Sequence, residues 1–77
     1  MDAQVQDLKP GDSARVIGFA SGDRDYRQRL LAMGLTPGAA FTVTRVAPLG
    51  DPVEVAVRGF KLTLRRGEAA ILKVERI

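Results

Sequence analysis

The chain has 77 residues with a formal net charge of +3, and it contains neither cysteine nor histidine. This length predicts a single domain, residues 1–77, that is stabilised by one compact apolar core. Because thiols and imidazoles are missing, the chain has no disulfide, no zinc staple, no thiolate nucleophile and no histidine base. We therefore expect a protein that is not an enzyme and that holds no cofactor and no metal ion.

The N-terminal segment and the distribution of apolar residues indicate where the protein works. The segment MDAQVQDLKPGD is acidic and polar, whereas a signal peptide is basic and then apolar. No stretch approaches the roughly 18 consecutive apolar residues that span a bilayer. The expectation is a cytoplasmic protein without direct membrane insertion.

A proline-glycine turn precedes the first predicted strand and recurs later. LKPG begins at Leu8 and LTPG at Leu35, and in each the proline presets φ while the glycine accepts the positive φ of a type II turn. Ser13–Phe19, after the first turn, is predicted to be a strand. Val16 and Ile17 are adjacent apolar residues, which leaves open that both faces of this strand are covered.

A short helix is predicted in the segment SGDRDYRQRLLAMGL. Ser21 or Asp23 can accept hydrogen bonds from its first amides, and acidic residues there suit the positive end of the helix dipole. Gly34 is expected to end the helix in the left-handed conformation. That places Leu30 and Leu35 in the hydrophobic contact of a Schellman motif.

From Ala40 onward, apolar and polar residues alternate with the period of a half-buried strand. The alternation predicts four further strands, at residues 40–46, 53–57, 60–65 and 72–75. A phase break at the end of the first of these suggests a bulge or a strand end. A tight turn is expected at Arg58-Gly59 and a break at residues 66–68. Phe41 and Phe60 are expected on the core faces of their strands.

Five short strands with one helix between the first two predict a mainly β fold, in which a bent sheet closes into a small barrel. This helix is the only helical segment that the pattern predicts. Closure would remove exposed strand edges. Any edge that stayed exposed could pair with another copy of the chain, so self-association is an open alternative.

Basic side chains suggest a second type of function. They lie on the predicted helix and on the later strands, at Arg24, Arg27, Arg29, Arg58, Lys61, Arg65 and Arg66. Proteins that bind single strands interleave such charges with stacking aromatic residues. Because Phe41 and Phe60 are expected in the core, a nucleic-acid-binding β-barrel is the alternative rather than the first interpretation.

The segment APLGDPVEV joins two predicted strands and places prolines on both sides of a glycine-aspartate pair. Pro48 and Pro52 restrict the unfolded chain and stiffen the hairpin whether or not anything binds there. Leu49 between them is different, because a polar hairpin has no need of an apolar residue at its tip. Leu49 gives the loop a recognition interpretation, with folding of its side chain back onto the barrel as the alternative.

Three segments follow one another along the chain: RLLAMGLTPG, APLGDPVEV and GFKLTLRRGEAAILKV. In this order they resemble the FeoA family, the small cytosolic proteins of bacterial ferrous iron uptake, from about Val5 to Val74. The resemblance implies an SH3-like β-barrel, in agreement with the strand pattern. It also implies a partner, FeoB, the membrane permease whose cytosolic part contains a GTP-binding domain.

The resemblance and the missing catalytic groups predict an accessory protein that binds the cytosolic part of the FeoB-type permease. Such binding would recruit it to the inner face of the membrane. Contact is expected through Leu49, Gly50 and Asp51, and secondly through the helix surface around Arg27 and Leu31. Direct binding of ferrous iron by carboxylates is a weaker alternative, because no ligand spacing connects the acidic residues.

Overall fold

The computed structural model describes residues 2–20 and 24–77. In chain order the elements are β1 (Asp2–Ala3), a 3-10 helix (Val5–Asp7), β2 (Ser13–Phe19), α1 (Arg24–Ala32), β3 (Ala40–Val46), β4 (Val53–Val57), β5 (Phe60–Leu64), α2 (Arg66–Ile71) and β6 (Leu72–Arg76). The predicted strands are β2 to β6, and α1 lies between the first two of them, which confirms the predicted mainly β fold. The helix caps predicted at Ser21 and Asp23 lie outside the described residues.

The strands form one antiparallel sheet in the order β1-β6-β2-β3-β4-β5. Two hairpins join β3 to β4 and β4 to β5, whereas β6 returns to lie between β1 and β2. The pairing of β3 with β4 shifts register between Val43 and Arg45, close to the phase break in the sequence. Because a bulge bends a strand and increases its twist, it helps the sheet to curve around its core.

The concave side of the sheet encloses the apolar core. In β4, alternate residues Val53, Val55 and Val57 are at most 4% exposed, and Leu30 and Leu35 next to the sheet are fully buried. Other buried side chains come from the 3-10 helix, α2 and β6: Val5, Ala69, Leu72 and Val74. Each large aliphatic side chain that is buried in this way stabilises the fold by about 1.5–3 kcal/mol.

Both proline-glycine turns have the predicted type II geometry. The residue after each glycine donates its backbone N–H to the carbonyl oxygen of the residue before the proline at 2.9 Å, from Asp12 to Lys9 and from Ala39 to Thr36. The glycine φ angles are +96° at Gly11 and +92° at Gly38. Each turn leads into a strand, as the sequence predicts.

The end of α1 is a Schellman motif. Gly34 has a φ of +95°. The Leu35 N–H donates to the carbonyl oxygen of Leu30 at 3.0 Å, and the Gly34 N–H donates to that of Leu31 at 3.1 Å. Since Leu30 and Leu35 are both fully buried, the helix stop also delivers two leucines to the core.

The structure corrects the expectation for Phe60, whose side chain is 72% exposed. The apolar alternation assigned the inward phase of β5 correctly, because Leu64 at the other end of the strand is fully buried. Between them, Leu62 is half-buried. Phe60 therefore lies beyond the end of the core, next to the Arg58-Gly59 turn. Ile17 is also exposed, at 39%, so the outer face of β2 is not fully covered.

The segment 66–71, predicted to begin with a break, forms the short helix α2. The Glu68 carboxylate accepts a hydrogen bond from the backbone N–H of Arg65 at 2.9 Å, which is half of a capping box. The segment was missed because six residues are too few for a helical period to emerge. The two-residue strand β1 was not predicted either.

Adjacent leucines in α1 provide a matched test of the core. Leu30→Ala should lower the free energy of unfolding by about 2–5 kcal/mol, because it leaves a cavity beneath the helix. Leu31→Ala, at a position that is 37% exposed, should change it by less than about 1 kcal/mol. Urea unfolding followed by circular dichroism measures both values. Equal losses for the two variants would contradict the packing of α1 described above.

Candidate partner-binding surface

The connection between β3 and β4, residues 47–52, is a closed turn that presents Leu49 to solvent. The Gly50 N–H donates to the carbonyl oxygen of Ala47 at 2.7 Å, and the Ala47 N–H donates to that of Pro52 at 3.1 Å. Gly50 has a φ of +81°, a backbone conformation that residues with a side chain rarely adopt. The Leu49 side chain is 87% exposed, so the alternative that it folds back onto the barrel is wrong.

Two hydrogen bonds fasten the 47–52 turn to the start of α2. The Asp51 Oδ1 accepts the backbone N–H of Arg66 at 3.0 Å. In return, the Arg66 Nη2 donates to the carbonyl oxygen of Leu49 at 3.4 Å. The Asp51 carboxylate thus has a structural role: it holds the turn against the start of α2.

The fastening continues from α2 to α1 through a close contact at Gly67. A Cβ at this position would lie 3.1 Å from the Tyr26 Oη, so glycine allows the tyrosine ring to approach the backbone of α2. The Arg29 guanidinium carbon lies 5.9 Å from the centroid of the Tyr26 ring. The 47–52 turn, α2 and the inner edge of α1 therefore form one connected series of contacts.

A shallow groove runs beside the turn on the outer side of the sheet. Its volume is about 270 Å³, and it is lined by Arg45, Ala47, Pro48, Pro52, Glu54 and Thr63. Pro48 and Pro52 thus form part of an exposed apolar wall, in addition to stiffening the hairpin. The groove and the Leu49 side chain thus belong to the same turn.

The second predicted surface lies on the outer side of α1. Arg27 is exposed and Leu31 is 37% exposed, and together with Arg24 and Gln28 they line an open depression. The Arg27 guanidinium carbon lies 5.7 Å from the centroid of the Phe19 ring. The five residues expected at the partner contact are thus divided between two elements: three on the 47–52 turn and two on α1.

Several carboxylates of the described residues already have partners. Ion pairs join Arg15 to Glu75, Lys61 to Glu54 and Arg76 to Asp12 at 3.3–4.0 Å. Asp51 and Glu68 accept backbone N–H groups at the start of α2. The guanidinium of Arg66 donates to the carbonyl oxygen of Leu49 and therefore lies beside that residue.

Neither a metal site nor a membrane span emerges from the described part of the chain. Residues 2–20 and 24–77 contain no group of three or more acidic side chains that could hold a metal ion. No helix among them is long and apolar enough to cross a bilayer.

Gly67 was not assigned a role from the sequence, and Arg66 was predicted only as one of the basic side chains of the nucleic-acid alternative, not as a residue of this surface. Their role depends on contacts with Asp51 and Tyr26, which are distant in the chain. One local signal was available: Glu68 stands three residues after Arg65, the spacing of a capping box. Reading that spacing as a helix start would have placed Arg66 at the first turn of α2.

The geometry defines a small SH3-like β domain whose most prominent surface feature is an apolar side chain on a fastened turn. Residues 4–76 match the model of the FeoA domain. The Fe(2+) transport protein A/Fe(2+) transporter FeoB fusion protein of Porphyromonas gingivalis is 39% identical over 74 residues, which cover 96% of this chain and 9% of the fusion protein. The chain belongs to the FeoA family.

Solved structures agree with this assignment. The FeoA protein of Chlorobium tepidum superposes with a TM-score of 0.86 at 43% identity, over 97% of this chain and 70% of that one. A crystal structure of the iron uptake regulatory protein FeoA gives a TM-score of 0.86 at 30% identity, over 100% of this chain and 99% of that one. The SH3-like fold implied by the resemblance is confirmed.

The fastening of the turn can be tested through the Arg66 amide. Asp51→Ala removes the acceptor, so hydrogen exchange at this amide should accelerate about tenfold or more, and stability should fall by about 1 kcal/mol. Asp51→Asn keeps an acceptor oxygen and should preserve most of the protection. Leu49→Ser serves as the control, because the bond to its carbonyl oxygen does not involve its side chain. Unchanged exchange in Asp51→Ala would contradict the hydrogen bond.

Proposed function

We propose that this protein is a non-enzymatic accessory protein of ferrous iron uptake that binds the cytosolic part of a FeoB-type transporter. The observation that carries the proposal is the 87% exposure of Leu49 on a turn held by four hydrogen bonds. The P. gingivalis relative supports the choice of partner, because it joins a FeoA part to a FeoB part in one chain. Fusion keeps two modules at high effective concentration, which benefits modules that contact each other.

The turn is suited to binding because it is already ordered. A flexible loop loses conformational freedom when it binds, and that loss reduces affinity. Here the hydrogen bonds to Asp51 and Leu49 fix the backbone before any partner arrives. Burial of one leucine side chain in a partner pocket then contributes about 1.5–3 kcal/mol.

The partner surface should combine an apolar pocket with an acidic rim. Leu49 would occupy the pocket, and the Pro48 and Pro52 wall would cover its edge. The Arg66 guanidinium beside Leu49 would meet the acidic rim, since charges at the edge of an interface steer association and fix its orientation. The α1 surface around Arg27 and Leu31 is the second candidate contact.

The experiment is a titration of the protein into the purified cytosolic part of the FeoB-type transporter from the same organism, with and without guanine nucleotide. Leu49→Asp should weaken binding at least about tenfold, because it removes the apolar anchor and would bury a charge. Phe60→Ser is the matched control, since Phe60 is also an exposed apolar residue, at 72%, but lies at the far end of β4. Circular dichroism verifies that each variant is folded.

The alternatives give different results. If Leu49→Asp binds like the parent while Leu31→Asp or Arg27→Glu does not, the contact lies on α1. If the parent protein fails to bind the transporter fragment with or without nucleotide, the proposed partner is wrong.

A further inference from the structure

The hairpin between β4 and β5 ends in an exposed tip that the proposed function does not use. Arg58 and Gly59 form a two-residue turn, with φ angles of +50° and +84°, and Val57 pairs with Phe60 across it. Positive φ at both central positions is the pattern of a type I′ hairpin turn. We call residues 58–61 the hairpin tip.

Arg58 is an unfavourable residue for its backbone conformation. Left-handed φ values crowd a Cβ, so this turn position favours asparagine, aspartate or glycine. The arginine is solvent-exposed, and hence it does not offset the strain by packing in the core. A strained residue that the core does not require is a reason to look for a role of its side chain.

The hairpin tip combines one exposed aromatic ring with two basic side chains. Phe60 is 72% exposed, and the side chain of its neighbour Lys61 is 73% exposed. Lys61 lies 4.0 Å from Glu54, the limit for an ion pair. The other aromatic residues, Phe19, Tyr26 and Phe41, are half-buried or buried. Phe60 is thus the only aromatic side chain that protrudes from the described residues.

We propose that the hairpin tip binds the surface of an anionic lipid bilayer. An apolar ring can enter the boundary between headgroups and acyl chains, while Arg58 and Lys61 stay among the anionic headgroups. Binding of single-stranded nucleic acid instead uses a groove with several aromatic residues on which successive bases stack. A convex turn with a single protruding ring fits the bilayer better.

The position of the tip allows it to act together with the 47–52 turn. The two lie at opposite ends of β4, because Val53 directly follows the 47–52 turn and Val57 directly precedes the tip. The five residues of β4 lie between them, so the end of the 47–52 turn and the start of the tip are roughly 20 Å apart. One end can therefore contact a protein partner while the other contacts lipid. The inference about the tip does not depend on the proposed function.

The test is co-sedimentation with vesicles of phosphatidylglycerol and phosphatidylcholine in equal amounts, at millimolar lipid and low salt. The parent protein should bind these vesicles, bind pure phosphatidylcholine vesicles at least about tenfold more weakly, and dissociate as salt increases. Phe60→Ser should weaken binding about tenfold. Leu49→Ser, at the other exposed apolar residue, should leave it unchanged.

A pair of charge variants separates the tip from the general positive charge of the protein. The double variant Arg58→Asn with Lys61→Gln removes two charges from the tip. Binding should weaken about fivefold for each charge that is removed. Arg24→Gln with Lys73→Gln removes two charges from α1 and β6 and should have little effect. Equal losses in the two double variants would overturn the assignment to the tip.

Arg58→Asn alone gives a result that a purely structural turn would not produce. Because asparagine tolerates positive φ better than arginine, the melting temperature should rise by a few degrees while vesicle binding falls. A rise in stability with unchanged vesicle binding would overturn the role of Arg58. If the parent protein does not bind anionic vesicles, the proposal is wrong. It is also wrong if the protein binds single-stranded DNA, if Phe60→Ser abolishes that binding, and if vesicles do not compete with the DNA.

Discussion

A single apolar core is the constraint on which the rest of this structure depends. The chain has no cysteine or histidine for covalent or metal cross-links, and the core draws on the strands, both α-helices and the 3-10 helix. Val55 and Leu64 from the sheet and Leu30 from α1 are fully buried. Since these positions are committed to packing, features that can vary without loss of the fold are confined to turns and outer faces.

The sequence predicted the strands well because their period of two appears within a few residues. It predicted the Schellman stop at Gly34 because all the required residues are adjacent. Alternation, however, indicates the face of the strand on which a side chain lies, and it does not indicate where the core ends. For this reason Phe60 was predicted to be in the core. Helix α2 was missed because its six residues are too few to show a helical period and because its contact with Tyr26 involves a residue far away in the chain.

The candidate site could be predicted only in part, because only its local features can be read from the sequence. Leu49 could be identified from the sequence because a polar turn does not need an apolar residue between its two prolines to keep its structure. Asp51 looked equally available for a partner, but its carboxylate accepts the Arg66 amide, fifteen residues further along the chain. Contacts at that separation leave no local trace in a sequence. The structure therefore separates two roles in the turn: the Leu49 side chain is 87% exposed, and the Asp51 carboxylate holds the turn in position.

Leu49 and Arg58 are both unfavourable for the isolated fold, and they stand at opposite ends of the same strand. An exposed leucine adds nothing to the stability of the core, and a positive φ at an arginine lowers the stability of the fold. Between them, alternate residues of β4 are among the most buried of the protein. Because β4 is packed in this way, the backbones of the 47–52 turn and of the hairpin tip are held at a fixed separation. The core thus sets the relative geometry of two surfaces that contribute nothing to it.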